Sequence, residues 1–473
     1  MLFKHRLFRL SMLVIFALLL AACGGDTAGE EMEAEPTAET AAETGEEPDA
    51  AEPDTEEDPM AQEPDDEEMA ESGDQQTLLW GMWGSPEEIA THQLVADAYM
   101  EANPNVTVEL WAQPWGDYFT KLQTLWAAGD DEAIPDVLFL SPVPQYAADG
   151  VLEPLDSYID ASGYDVGDYW NGAIDIMKYD GNIYGFPRDI GLEVLYYNKD
   201  HFDEAGLDYP DASWTWDDLR AAAEALTITS ASGRVERYGL GMEGGKYGQF
   251  LVSNGGGLFD DPFNPTSCQL DSPESIGAFE FIAGLMNDGL AMRDANLNQA
   301  GGDSAVFQSE QVSMIIQNAS RVPAFNAAGM NYDVAPVPTA PGGIRATGAG
   351  GAAWTMSAVS EKKDLAWDFI QFLQSPEGGL AIYPATGEAF PPIRSAAEGD
   401  PWMGNDNLPP GREAFLIQAE GSTTATGAFF GSWGEVNGTF ISPVLTQIWA
   451  GEVAPADVLP GVCDAVDEFL ANQ

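Results

Sequence analysis

From Thr77 onward the hydrophobic positions switch between a two-residue and a three-to-four-residue spacing, which predicts strands and helices in succession. Leu78 to Trp80 reads as a first strand. In the helix that follows, Ser85 caps, Pro86 takes the first position and Glu88 closes a capping box. Asn103-Pro104 ends that helix, and Val106, Val108 and Leu110 alternate as a second strand. Phe119, Leu122 and Trp126 mark one face of a second helix that stops at Gly129, and Pro135 introduces a third strand, Asp136 to Leu140. This is the opening of an open α/β sheet, where ligands sit beyond the carboxyl ends of strands flanking a topological switch point. The loops Gly81 to Ser85 and Ser141 to Tyr146 are therefore expected at a cleft.

The middle of the chain has the most distinctive local signals. Asp180-Gly181 is a tight-turn dipeptide, Tyr184 to Pro187 leaves it extended, and Val194 to Tyr197 is a buried-strand run. Thr215 then caps a helix with Asp218 completing the box, Trp214 is placed to staple onto Leu219, and Leu219, Ala222, Ala223 and Leu226 form the apolar face. Tyr238 to Glu243 reads as another strand. Three consecutive glycines in the run NGGGLFDD predict unusual backbone angles or a close backbone approach. Helical spacing returns over Pro273 to Leu290, with Ile276, Phe279, Ile282 and Met286 inward. A short helix then leads into the strand Val312 to Ile316, and further helices follow at KKDLAWDFIQFLQ, Val444 to Trp449 and Pro455 to Leu470.

Three of these pieces, DGNIYGFPRD, YYNKDHFDEAGL and WTWDDLRAAAEALT, stand in an order and spacing that resembles the extracellular solute-binding proteins of ABC sugar importers, of the maltose-binding-protein-like kind. APVPTAPGG, GAGGAAWTMSAVS and AWDFI extend the likeness, which runs from about Thr77 to the C-terminus. The resemblance implies a two-lobe, type II periplasmic-binding-protein-like α/β fold, each lobe a central sheet flanked by helices, with the ligand cleft between them. It also implies lobes assembled from separated segments, 77–190 with 336–388 and 191–335 with 389–473. The three crossings are expected near Arg188 to Gly191, Val334 to Gly350 and Ala385 to Ile393, all of which contain Pro, Gly or an extended pattern. By the same resemblance the ligand is a sugar, an oligosaccharide or glycoside rather than a charged solute. ABC permease subunits are the membrane partners, the receptor is a monomer, and no cofactor or metal is expected.

Composition adds the cellular setting. Lys4, Arg6 and Arg9 precede an apolar core, Leu10 to Leu20, too short to span a bilayer comfortably, so residues 1–22 read as a targeting segment. It ends in Leu20-Ala-Ala-Cys23, which resembles the lipobox of bacterial lipoproteins and makes Cys23 the expected lipidated residue. The protein is then extracytoplasmic and anchored to the membrane. Gly24 to Gln76 holds 22 acidic residues and no basic one, without periodicity or aromatics. Such a tract cannot offset its chain entropy by burial and reads as a tether, with a reach of about 40 Å as a flexible coil. The whole chain carries a formal charge of −60, with 18 basic residues against 78 acids. Phosphate backbones need clustered Lys and Arg, so nucleic acid is excluded as a partner. Cys268 and Cys463 are the other two cysteines; in an exported chain thiols commonly pair, and the family topology places both in the second lobe, so a disulfide between them is expected.

Sugars are recognised by flat apolar faces and by planar polar groups for their hydroxyls. Residues falling at strand-end loops are the candidates: Trp83, Arg188, Asp189, Glu243, Trp354 and Trp433, with Trp115 weaker. For each Trp the alternative is core packing, for Arg188-Asp189 an interlobe ion pair, and Asp136 is expected to cap a turn rather than reach the cleft. The histidines His92 and His201 sit in helical or turn settings, and no GxSxG, HExxH, GxxxxGK or CxxC pattern occurs. A tethered glycan-cleaving enzyme using paired carboxylates, a peptide receptor and a sensor component stay open as alternatives to the sugar receptor.

Overall fold

The computed structural model describes residues 75–348 and 350–473. The segment expected to be a targeting signal, Cys23 and nearly all of the acidic tract lie outside the described residues. Two sheets organise the rest. The first has the order Val106–Gln113, Gln76–Trp83, Val137–Leu140, Ala353–Met356, Gly185–Pro187. Its first three strands are parallel, and Ala353–Met356 runs antiparallel to both of its neighbours. The second has the order Ala291–Met292, Val235–Gly241, Val312–Gln317, Val194–Asn198, Tyr332–Ala335, with Ile228–Thr229 also paired to Val235–Gly241.

Each sheet is covered on both faces, which is why VLFL, VLYYN, VSMIIQ and YDVA are buried at every position and read as continuous apolar runs. The pleat sends alternate residues to opposite cores. In the second sheet Leu195 and Tyr197 go to one cluster and Val194 and Tyr196 to the other; in the first, Val137 and Phe139 part from Leu138 and Leu140 in the same way. Sheets and clusters together define two lobes. Two stretches pack against the lobe that chain order does not lead one to expect: Trp170 and Ala173 belong to a second-lobe core, and Phe429 packs on a first-lobe core.

Local chemistry explains the element ends. The Ser85 amide donates to Glu88 Oε2 at 2.7 Å while Ser85 Oγ accepts from the Glu88 amide at 3.2 Å, with Pro86 opening the helix. Asp218 accepts from both the amide and the hydroxyl of Thr215, each at 2.8 Å. Asp180 and Gly181, at φ 47° and 82°, make the tight turn between Lys178–Tyr179 and Asn182–Ile183. In the triple-glycine run Gly255 has φ 88°, and a Cβ on Gly256 would stand 2.4 Å from Ser275 Oγ, so a close approach requires that glycine. Cys268 is joined to Cys463 with Cα atoms 5.1 Å apart, tying the 258–270 loop region to the terminal helix Pro455–Ala471 inside the second lobe. Asp136 is structural: it accepts from the Leu79 amide, Ser360 Oγ and Lys362 Nζ at the amino end of its strand.

Candidate functional site

The carboxyl ends of Gln76–Trp83, Val106–Gln113 and Val137–Leu140 point the same way, and Trp83, Pro114, Trp115, Ser141 and Pro142 follow from them. They form one wall of a cavity of about 620 Å³, within the range of small-molecule sites. The opposite wall comes from the second lobe, where Val312–Gln317 ends and the chain turns through Asn318, Ser320 and Arg321; Phe429, packed on a first-lobe core, also lines the cavity. The cavity therefore lies between the lobes.

The first-lobe wall is aromatic and tightly stacked. Trp83 lies over Phe139 with ring centres 4.3 Å apart and meets Trp115 edge-on at 4.9 Å. Trp115 opens the helix Trp115–Ala128 and is 59% exposed. An exposed indole held in place by a buried aromatic cluster offers a flat apolar face at little ordering cost.

Charge is arranged at the base, where the chain first leaves the first lobe. Arg188 donates to Asp189 Oδ2 through Nε at 2.9 Å and to Glu388 Oε1 through Nη1 at 2.9 Å, and its guanidinium lies 4.8 Å from the centre of the Phe139 ring. Asp189 Oδ1 accepts from the Gly191 amide at 2.8 Å. Gly191 has φ 57°, and a Cβ there would stand 2.0 Å from the Gly350 carbonyl oxygen, so two crossings of the chain touch at this glycine. Burial would lower the Arg188 pKa, but Asp189 and Glu388 more than offset it and hold the guanidinium charged. Burial pushes the Glu388 carboxyl up to about 7 against the pull of Arg188. Next to these groups His92 shares a 2.6 Å hydrogen bond with the Tyr383 hydroxyl, and burial holds its pKa well below the ordinary value.

Of the residues expected at the cleft, the structure brings Trp83, Arg188 and Asp189 together in this cavity. Three others lie elsewhere. Trp354 pairs in register with Phe139 and is fully buried behind it, ring centres 4.4 Å apart, because strand alternation turns its side chain into the core. Trp433 packs on Phe259 and Phe430 in the second lobe, beside a separate pocket of about 270 Å³. Glu243 lies just past the end of Val235–Gly241, 3.8 Å from Lys246 Nζ. That lysine also binds Asp303 Oδ2 at 2.8 Å and the Ile316 carbonyl at 2.5 Å, with Glu193 Oε1 at 3.6 Å. Arg188 and Asp189 pair as neighbours in sequence at the first crossing, and Arg188 adds Glu388 from the third.

Several further lining residues are not among those named candidates. Asn318, Ser320 and Arg321 follow a strong strand, so the strand-end rule that picks Trp83 also picks them. Glu88 is hidden by its capping role, since its carboxylate lines the cavity while holding the Ser85 amide. Phe429 sits in a loop with no periodic signal.

A two-lobed α/β molecule with a cavity of about 620 Å³ at the lobe boundary, and aromatic and charged groups facing it from strand ends, has the build of a binding protein for a small ligand. The chain belongs to the bacterial extracellular solute-binding protein family, whose model matches residues 95–410. It is similar to an ABC substrate-binding protein of Listeria monocytogenes solved in complex with cycloalternan, at 26% identity over 84% of this chain and 100% of that one, with a TM-score of 0.72. It is also similar to the sugar-binding protein MalE of Xanthomonas citri, at 25% identity over 84% and 98% of the two chains, with a TM-score of 0.67. Among curated relatives, the sn-glycerol-3-phosphate-binding periplasmic protein of Rhizobium meliloti is 26% identical over 58% of this chain and 65% of its own length.

Proposed function

We propose that this protein is the substrate-binding component of an ABC importer, capturing a sugar, an oligosaccharide or glycoside, between its lobes and delivering it to membrane permease subunits. The observation that carries the reading is the facing of an exposed Trp115 and a stacked Trp83 on one wall by polar Asn318, Ser320 and Arg321 on the other, across about 620 Å³. A sugar ring has apolar C–H faces and a polar rim, and this cavity supplies a surface for each. The Listeria and Xanthomonas relatives, named for cycloalternan and for sugar, support the same ligand class.

In this reading the protein acts as a monomer, without a cofactor, as a receptor rather than a catalyst. It is held outside the cytoplasm by lipidated Cys23, with the acidic tract as its tether. The lobes close by bending where the chain passes between them, because ligand bound in a shared cleft favours the closed state through its higher affinity for it. Calorimetry with neutral and acidic sugars, peptides and polyamines tests the assignment. Saturable binding of a sugar is the expected result; tight peptide or polyamine binding with no response to any sugar overturns it, as does hydrolysis of an offered oligosaccharide.

A further inference from the structure

The cavity contains two guanidinium groups, and their circumstances differ. Arg188 is fully engaged by Asp189 and Glu388. Arg321, on the second-lobe wall, makes no side-chain ion pair or hydrogen bond among the described residues, and its Nε is buried without an acceptor. The acids in the cavity do not reach it. Asp189 spends one oxygen on Arg188 and the other on the Gly191 amide, and Glu88 turns its Oε2 to the Ser85 amide.

The neighbour of Arg321 adds donors rather than acceptors. Asn318 Oδ1 accepts from the amide and the hydroxyl of Ser320, at 3.1 and 2.8 Å. That network fixes the amide orientation and leaves the Asn318 Nδ2 hydrogens without a protein acceptor among the described residues. This wall therefore offers a positive charge and several N–H groups, with the acceptor capacity of Asn318 already used. A neutral hydroxyl both donates and accepts, and it leaves a half-buried charge uncompensated. A carboxylate or phosphate only accepts, and its charge cancels that of the guanidinium. The cavity also holds Glu88 and Asp189, but neither forms an ion pair with Arg321 among the described residues, so this guanidinium is the cation there that a ligand oxyanion can pair with.

We propose that Arg321, assisted by Asn318, receives an oxyanion carried by the sugar, so that the preferred ligand is an acidic or phosphorylated sugar rather than a neutral one. The proposal rests on the sugar-receptor reading and reverses the expectation of an uncharged ligand. The ring lies against Trp83 and Trp115, and its oxyanion faces the second lobe.

The test is calorimetry on the full soluble protein with two matched sets: methyl glucoside against its glucuronate counterpart, and glucose against glucose 1-phosphate. The first pair tests a carboxylate and the second a phosphate. The expected result is at least tenfold tighter binding of one anionic member than of its neutral parent. Arg321→Gln is expected to remove that preference by weakening the anionic member far more than the neutral one, and Arg321→Lys to restore part of it. Rising salt should weaken the anionic member selectively. Wild-type discrimination alone decides the matter if Arg321→Gln does not fold. Neutral sugars binding as tightly as the anionic ones, or Arg321→Gln weakening both equally, overturns the proposal and leaves the sugar reading in place. Binding of no member of either set overturns the proposal and leaves the sugar reading to the broader ligand panel above.

Discussion

The two lobes are stabilised by different means, although their sheets are built alike. The first lobe relies on aromatic packing: Trp80, Trp354, Phe139, Tyr383 and His92 form one contiguous set of rings that continues outward into Trp83 and Trp115. The second lobe has aliphatic and aromatic cores on both sheet faces, and in addition the Cys268–Cys463 link and the Lys246 cluster. The cleft inherits this difference. Its first-lobe wall is a rigid apolar surface continuous with a core, and its second-lobe wall is a polar turn at a strand end. The apolar surface is thus set by one lobe, while the other adds the polar turn with Arg321 to the charge already paired at the base by Arg188, Asp189 and Glu388.

The largest expected effects separate stability from binding in the first lobe. Trp354→Ala empties a fully buried site beneath Phe139 and is expected to cost about 3–5 kcal/mol of stability, read by thermal or denaturant unfolding, while a folded remnant still binds ligand. Trp83→Ala is expected to do the reverse in emphasis, weakening sugar binding by about 10- to 100-fold, on the order of one buried aromatic contact. Equal loss of affinity in the two variants would show that the cavity wall and the core behind it act as one unit. In the second lobe the disulfide is the counterpart. Its 195-residue separation makes Cys268→Ser with Cys463→Ser worth about 2–5 kcal/mol of stability, with little change in affinity. Two alkylatable thiols in denatured, unreduced protein would remove the covalent part of the contrast between lobes.

Elements whose signals are local are legible in the sequence. Ser85 and Thr215 are capped as their neighbours in the chain dictate, Gly129 ends its helix at φ 65°, and Asp180-Gly181 turns. Placement of site residues is less legible, because it depends on register between distant strands. Trp354 and Trp83 both lie in strands, yet only pairing with Phe139 shows that Trp354 lies behind the wall and Trp83 in front of it. Glu243 and Glu193 read as unrelated acids 50 residues apart until Lys246 draws both toward one ammonium. Glu388, which neutralises Arg188, lies 200 positions away, and no periodicity connects the two.

The smallest expected effect compares one buried acid from each lobe. Burial pushes Glu193 up to about 7, against Lys246 and with Asp303 and Glu243 adding to the rise; Glu388 is pushed up to about 7 in the same way against Arg188. In the unfolded chain each titrates near the ordinary value of about 4.3. Between roughly pH 4.5 and 7 the folded protein therefore holds protons that the unfolded chain has released, so stability is greatest at the acid end of this window and falls as pH rises through it. The expected outcome is a melting temperature that declines from pH 5 to pH 8. Glu193→Gln should flatten part of that decline, since an amide oxygen still accepts from Gln249, which donates to Glu193 Oε2 at 2.8 Å, and Asp303 still holds Lys246. Glu388→Gln should flatten it less cleanly, because Arg188 then keeps only Asp189 as a carboxylate partner. Each change is bounded by the size of the pKa rise, at about 1.4 kcal/mol per pKa unit. If the slope is the same in both variants as in the wild type, neither acid is protonated near neutrality, and the two charge clusters differ only in the cation they surround. If Glu193→Gln alone removes it, the second lobe carries the pH response. That result would place the response at the residue whose amide meets Thr347 Oγ1 at 3.4 Å, where two passages of the chain between the lobes come together.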